Sequence, residues 1–349
     1  LDNDGVNDEL VRMEAEVTVD GEEFIVDFSG SSDEVDGPVN LPYGMTEAVC
    51  KLVLKTLTTP EEPSNEGQYE PLSIVAPEGN LFNATYPAPT FTIWTGILGV
   101  EVVYKAVAKG MPDRVPASSG GDLCGIVLVA EDSETGEMFI ESSNEGVGWG
   151  ATDGMDGANA LMHISETRIK NIPLEVFENK MPIQFDELSL RQDSGGVGEY
   201  RGGLGVRRDY KFLDDIKGIT LIKKTRTDGW GLDGGKPGDR NVVLIQSNGE
   251  DHWRDRFDFL VDNNPEHTTA ENEQYTGMMR GQFESGEIMS NRSGGGGGYG
   301  DPLDRDPEAV LDDVENGYVS RRSAKDDYHV VITEDGTVDW EATKELRDN

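Results

Sequence analysis

Cysteine, aromatic residues and positive charge are all scarce in this chain. Only two cysteines, Cys50 and Cys124, occur among its 349 residues. They sit far apart in apolar segments, which excludes a disulfide framework and fits two buried free thiols in a reducing compartment. Aromatic residues make up 7%, so the core must come chiefly from aliphatic residues in periodic runs. Lys and Arg number 30 against 68 Asp and Glu, a net charge of −38. Such a field excludes the clustered basic surface that nucleic acid phosphates need. No apolar run approaches the roughly 18 residues that would suggest a membrane span. No basic-then-apolar stretch opens the chain, and a cytoplasmic location is expected.

What is abundant is acid and glycine. The acid is spread along the whole chain, strand-like segments included, whereas an interaction tail would gather it in one block. At low ionic strength that much like charge would push a compact state apart. At about 1 M salt the Debye length is only about 3 Å and the repulsion is screened. The pattern therefore points to adaptation to a very salty cytoplasm, that is, a halophilic host.

Periodicity gives a mixed, β-rich α+β fold with long glycine-rich loops and a short helical C-terminal segment. Alternation over Glu14 to Ser29, broken at Asp20-Gly21, predicts a β-hairpin. Apolar residues at helical spacing predict helices over 45–57 and 94–109, the second closed by Gly110 and Pro112. Strands are expected at 72–75, 124–130, 138–141, 183–190, 206–212, 219–222 and 242–245. From Gly249 onward the chain reads as irregular and polar. Short helices are expected at 307–315 and 320–328, then a strand at 329–332. The expected organisation is a body over 1–289 and a C-terminal part over 290–349, containing the Gly294–Asp301 loop and packed on the body.

Three glycine segments stand out. Ser293 to Pro302 holds five successive glycines, Gly294 to Gly298. It is not a P-loop, because no Gly-Lys-Ser/Thr follows, and no strand leads into it as in a dinucleotide fingerprint. A flexible linker, an anion cradle and a close approach of another chain all fit it. The second segment runs from Asp193 to Gly205. It reads as a wide turn, or as an Arg201 presented beside the bare backbone of Gly202 and Gly203, which suits a carboxylate or phosphate. The third, Trp230 to Gly238, reads as a turn. Of the histidines His163, His252, His267 and His329, none lies three or four residues from another His or a Cys, so no local metal-ligand spacing exists. His163, following a glycine-rich loop, is either a satisfied structural histidine or a pocket residue. No Gly-x-Ser-x-Gly nucleophile elbow occurs.

Taken in order, these segments resemble the hydantoinase B/oxoprolinase family, which takes in N-methylhydantoinase B-type subunits, the C-terminal half of 5-oxoprolinase and, more distantly, the acetone carboxylase α subunit. The resemblance runs through Asp27 to Ser32, Gly37 to Asn40, Asn65 to Pro71, Ala76 to Leu81, Pro112 to Ala117, Arg191 to Gly205, Trp230 to Gly238 and Gly295 to Pro302. It implies an A-type partner subunit with an actin-like ATPase fold that uses ATP to phosphorylate the substrate carbonyl. The B-type subunit would then hydrolyse the activated cyclic amide: hydantoin, N-methylhydantoin or 5-oxoproline. An acetone carboxylase-like α subunit fragment and an inactive scaffold that only docks the ATPase are the competing implications. The resemblance also implies a divalent metal whose His- and Asp-containing motifs lie N-terminal to the region matched. The chain begins at Leu1 in a run that reads as mid-domain, so a truncated form without a metal site, inactive alone, is the expectation. For the substrate or its phosphate, Arg201, Gly202, Gly203, Gly295, Gly296, Gly297, Gly298 and His163 are the candidates, with no catalytic residue assigned.

Overall fold

A computed structural model describes residues 1–7, 9–122, 124–131, 136–166, 170–255 and 278–348. His267 and the side chain of Cys124 lie outside what it describes. The chain forms two compact units, residues 1–116 with 163–167, and residues 117–162 with 168–349. The segment 290–349 lies wholly within the second.

In the first unit, β1 (Glu16–Asp20) and β2 (Glu23–Asp27) pair antiparallel. Gly21, at φ +61°, supplies the left-handed residue of the two-residue turn. β3 (Leu72–Val75) adds to β2 in parallel, Phe24 opposite Leu72 and Asp27 opposite Val75. Parallel neighbours need a long crossover, and the stretch between them carries α1 (Tyr43–Thr58). α2 (Trp94–Val107) packs on α1. The core joins Val26, Phe28, Val49, Val53, Phe82 and Val100, all within 5% exposure, and Phe28 stacks on Phe82 at 4.1 Å. Cys50 is a buried free thiol. Burial and the nearby Glu47 push it up to about 12, so it stays protonated.

The second unit holds two antiparallel sheets. One contains β6 (Ile183–Leu190), β7 (Val206–Phe212), β12 (Ile288–Arg292), β9 (Val242–Gln246) and β10 (Arg254–Asp255), in the order β10-β9-β12-β7-β6. The other contains β4 (Cys124–Glu131), β5 (Met138–Glu145), β8 (Ile216–Leu221) and β11 (Met278–Phe283), in the order β11-β8-β4-β5. Inward residues of both sheets and of the short helix α3 (Leu174–Lys180) share one apolar core: Leu128 and Phe283 from one, Tyr210 and Val243 from the other, Phe177 from the helix. Phe212 stacks on Phe283 at 4.8 Å.

The C-terminal helices are α4 (Pro307–Glu315), α5 (Arg321–Asp326) and α6 (Trp340–Asp348). Two expectations fail. The stretch after Gly249 is not all irregular, since β11 and β12 lie in it, β12 at the centre of its sheet. No strand forms over 329–332. His329 sits at φ +52°, and the amides of Val330 and Val331 donate to Ala324 O and Thr343 Oγ1. Only an isolated antiparallel bridge, Ile332 with Val338, forms there, and no ladder builds on it. The terminal element is a helix, α6.

Candidate functional site

The glycine segments of the second unit converge on one place. The run Gly294–Gly298 threads between backbone stretches at 118–120, 148–151, 194–197, 202–203, 230–232 and 236–239. Its hydrogen bonds come back to the same neighbour every third residue. Gly295 N and Gly298 N donate to Asp239 O and Lys236 O, at 3.1 and 2.9 Å. Gly294 O and Gly297 O accept from Gly148 N and Ala151 N, both at 2.9 Å. Gly296 N donates to Gly203 O and Gly297 N to Ser118 O. A three-residue repeat without internal hydrogen bonds is the signature of a polyproline-II-type chain. Here neighbouring segments satisfy the backbone that such a chain leaves bare.

Close approach explains the glycines. A Cβ on Gly296 would stand 1.9 Å from Trp149 O, and one on Gly202 1.9 Å from Gly296 O. The obstacle is backbone on every side, which cannot rotate away. The structure therefore brings Gly202, Gly203 and Gly295–Gly298 into one packed bundle. Its order excludes the flexible-linker reading. Each amide from Gly294 to Tyr299 donates to a protein oxygen.

Arg201 enters the bundle by its backbone and leaves it by its side chain. Its carbonyl accepts from Gly157 N at 2.8 Å. Its guanidinium is buried: Nε donates to Asp313 Oδ1 at 2.8 Å and Nη1 to Asn159 Oδ1 at 3.2 Å, over the Tyr318 ring. Arg305 completes the network, binding Asp156 and Asp313, each at 2.7 Å. Burial works against its charge, but Asp156 and Asp313 more than compensate and hold the guanidinium above its ordinary range. Tyr328, buried against these groups, is pushed up and stays a phenol at neutral pH. The network ties α4 to the 199–203 strand of the bundle. Beside the bundle a cavity of about 630 Å³ is lined by Arg191, Asp228, Asp239, Arg240 and Asn241, with Arg191 paired to Asp239 at 2.7 Å. Burial pushes the Asp239 carboxyl up, with Arg191 pulling the other way.

His163 belongs to the first unit and is 2% exposed. Ser165 N donates to its Nδ1 at 3.2 Å, and Ser165 Oγ lies 2.7 Å from the same atom. The ring proton therefore sits on Nε2, which faces Glu101 Oε1 at 3.6 Å. Ser165 is exposed and Glu101 is buried. Ser165 Oγ is within hydrogen-bond distance of the ring, whereas Glu101 at 3.6 Å is a charge contact and not a hydrogen bond. Glu166 lies alongside, its carboxyl pushed up by burial and pulled down by His163. Sequence reasoning named His163 and missed both partners. The signal for Glu101 was present: a single acid inside the apolar run Ile97–Val107.

The other described histidines are separate. His252 faces Glu250 at the surface at 3.5 Å, and His329 is on the C-terminal part. Among the described residues no group of three or more His, Cys, Asp and Glu side chains is placed to hold a metal ion. The described residues therefore offer no ligand set for the divalent metal that the family resemblance implies.

Comparison with known proteins gives a consistent result. The family model described as hydantoinase B/oxoprolinase matches residues 1–302. An uncharacterized protein of Methanocaldococcus jannaschii is 34% identical over 345 residues, covering 97% of this chain and 56% of the relative. The B-type subunit of a putative D-/L-hydantoinase from a Pseudomonas species is 30% identical, covering 99% of this chain and 56% of its own length. The solved ATP-dependent caprolactamase of Pseudomonas jessenii superposes with a TM-score of 0.78 at 28% identity, over 96% of this chain and 56% of that one. Nucleotide-free acetone carboxylase superposes with a TM-score of 0.75 at 22% identity, over 96% and 47%, which shows a shared fold. The chain spans about half the length of the curated relatives it matches.

Proposed function

Because this chain belongs to the hydantoinase B/oxoprolinase family, we propose that it serves in the B-type part of an ATP-dependent cyclic amide hydrolase. The observation that carries this reading is the superposition on ATP-dependent caprolactamase at 28% identity over 96% of the chain. A ring amide resists water because resonance lowers the electrophilicity of its carbonyl. Phosphorylation of the carbonyl oxygen by an A-type ATPase partner removes that resonance; water adds to the activated carbon, the ring C–N bond breaks with nitrogen leaving as the amine, and a second water hydrolyses the acyl phosphate to the ring-opened acid and phosphate. Hydantoin, N-methylhydantoin and 5-oxoproline are the substrates the reading favours, with a lactam such as caprolactam as a further member of the class.

Arg201, Gly202, Gly203 and Gly295–Gly298 act in this reading as the rigid framework beside which the substrate is held. Direct phosphate contact by Arg201 would require its guanidinium to exchange Asp313 for the phosphate. His163, buried beside Ser165 and Glu101, is assigned proton transfer in this reading. The enzyme works in the cytoplasm, and its charge of −38 suits molar salt.

The test uses the enzyme assembled from this chain, its A-type partner and any further chains the relatives' length calls for. With ATP and each ring amide in turn, one substrate is expected to give ADP and ring-opened acid in equal amounts. Consumption of acetone with bicarbonate, or partner binding without ATP-dependent chemistry on any ring amide, overturns the proposal. An Arg201→Ala enzyme is expected to lose at least tenfold in kcat/KM. Full retention would remove Arg201 from the site.

A further inference from the structure

Where the two sheets of the second unit meet the foot of the glycine bundle, five polar side chains are buried together. They are Ser143 and Glu145 of β5, Arg208 and Tyr210 of β7, and Asn291 of β12. Glu145 accepts from Tyr210 Oη and from Asn291 Nδ2, the latter at 3.3 Å, and faces Arg208 Nη1 at 3.6 Å. Arg208 Nη1 also donates to Ser143 Oγ. Three of their atoms, all buried, have no hydrogen-bond partner among the described residues: Arg208 Nε, Arg208 Nη2 and Asn291 Oδ1. Nε and Nη2 form one edge of the guanidinium, two parallel donors preset for a single acceptor group. Asn291 is the cross-strand partner of Arg208, so both side chains rise from the same face of the sheet, and both reach Glu145. The guanidinium carbon lies 5.6 Å from the Phe185 ring centre, and an aromatic ring offers no strong acceptor to in-plane N–H groups.

Left bare, each of these atoms would cost about 1–3 kcal/mol. Their complement is a small molecule that accepts twice and donates once. Charge decides its nature. All described contacts to Glu145 come from donors, the arrangement that suits an ionised carboxylate, and Glu145 with Arg208 is then a neutral pair. An anion added to this enclosure would leave a net buried negative charge, which is strongly unfavourable. We propose that Arg208 and Asn291 bind one ordered internal water, which accepts from Nε and Nη2 and donates to Asn291 Oδ1. Three hydrogen bonds are typical of a buried structural water. This water would stitch β7 and β12 together two residues before Ser293, whose Oγ donates to Gly146 O at 2.5 Å as both chains enter the bundle.

The test needs no variant, so loss of folding cannot obscure it. Crystals of the full chain are grown from molar KCl and, in parallel, from molar KBr with anomalous data collected at the bromine edge. The expected result at about 1.5 Å resolution is a water peak within about 3.2 Å of all three atoms, with no bromide signal there. An empty site overturns the proposal. A bromide peak on Arg208 overturns it in favour of an anion site, which would also mean that the Asn291 amide is turned over.

Discussion

Glycine has opposite consequences at different positions in this chain, and the neighbours decide the sign. Gly296 lies in the bundle with backbone 1.9 Å from where a Cβ would go. Gly44 lies in the first turn of α1 with nothing within 4 Å and no positive φ. Gly296→Ala is expected to cost about 3 kcal/mol or more, because rigid backbone must move. Gly44→Ala is expected to stabilise by roughly 0.5–1 kcal/mol by restricting the unfolded chain. Chemical denaturation of the two variants in molar KCl checks both signs. Equal effects would contradict the packed-bundle account. The glycine positions were legible in the sequence, but their purpose was not. Composition cannot distinguish a loose linker from a strand hemmed in by six others, since both call for residues without a side chain.

Among the elements, those with strong local signals were readable. The 20–21 turn, α1, α2 and β6, β7 and β9 follow from periodicity and turn residues close to their observed limits. β12 was missed because Ile288-Met-Ser-Asn-Arg292 does not alternate as a half-buried strand should. It lies at the centre of its sheet and buries Ser290 and Asn291 beside Met289. Its polar residues reach the buried cluster around Arg208, so tertiary partners override the local pattern. The strand expected at 329–332 failed for the converse reason: Val330, Val331 and Ile332 are strand-forming residues, but His329 takes a positive φ and only an isolated bridge, Ile332 with Val338, forms. The pairing of His163 with Glu101 was hidden because the two are distant in sequence, although Glu101 itself stands out as the single acid of its apolar run. The helix starts are a further element-scale feature. Asp306 caps α4, its carboxylate accepting from Glu308 N at 3.0 Å, with Pro307 in the first turn. Asp306→Ala is expected to cost about 1 kcal/mol, read as a lower thermal midpoint. Because α4 carries Asp313, loss of this cap should also loosen the Arg201 and Arg305 network, visible as faster amide exchange at Arg201.

For the molecule as a whole, charge sets the dependence on salt and pH. With 68 acidic against 30 basic residues, self-repulsion is expected to dominate at low ionic strength. Raising KCl from 0.05 to 2 M should raise the midpoint of the first unfolding transition by about 10 °C, which at roughly 2–4 °C per kcal/mol is several kcal/mol of screened repulsion. An unchanged midpoint would contradict salt adaptation. The pH dependence separates out when salt is held high. Glu166, Asp239 and Glu287 are all pushed up, burial being the largest cause in each. A glutamate carboxyl raised above its ordinary 4.5 binds its proton more tightly in the folded state. Its stabilising contribution is complete below 4.5 and is lost as pH rises through the raised value. Mild acidification from pH 7.5 toward 5 should therefore stabilise the protein. Glu287 allows the sign to be checked at one residue. It is buried at the start of β12, facing Glu284, Asp215 and Glu250, each of which raises its pKa further. Its Oε2 accepts from Glu284 N at 2.8 Å, a bond that a glutamine carbonyl can keep. Glu287→Gln is expected to be more stable than the parent at pH 7.5 and to gain less on acidification. Urea unfolding of both proteins at pH 5, 6 and 7.5 in 2 M KCl measures this, and parallel curves would show that Glu287 does not carry the effect.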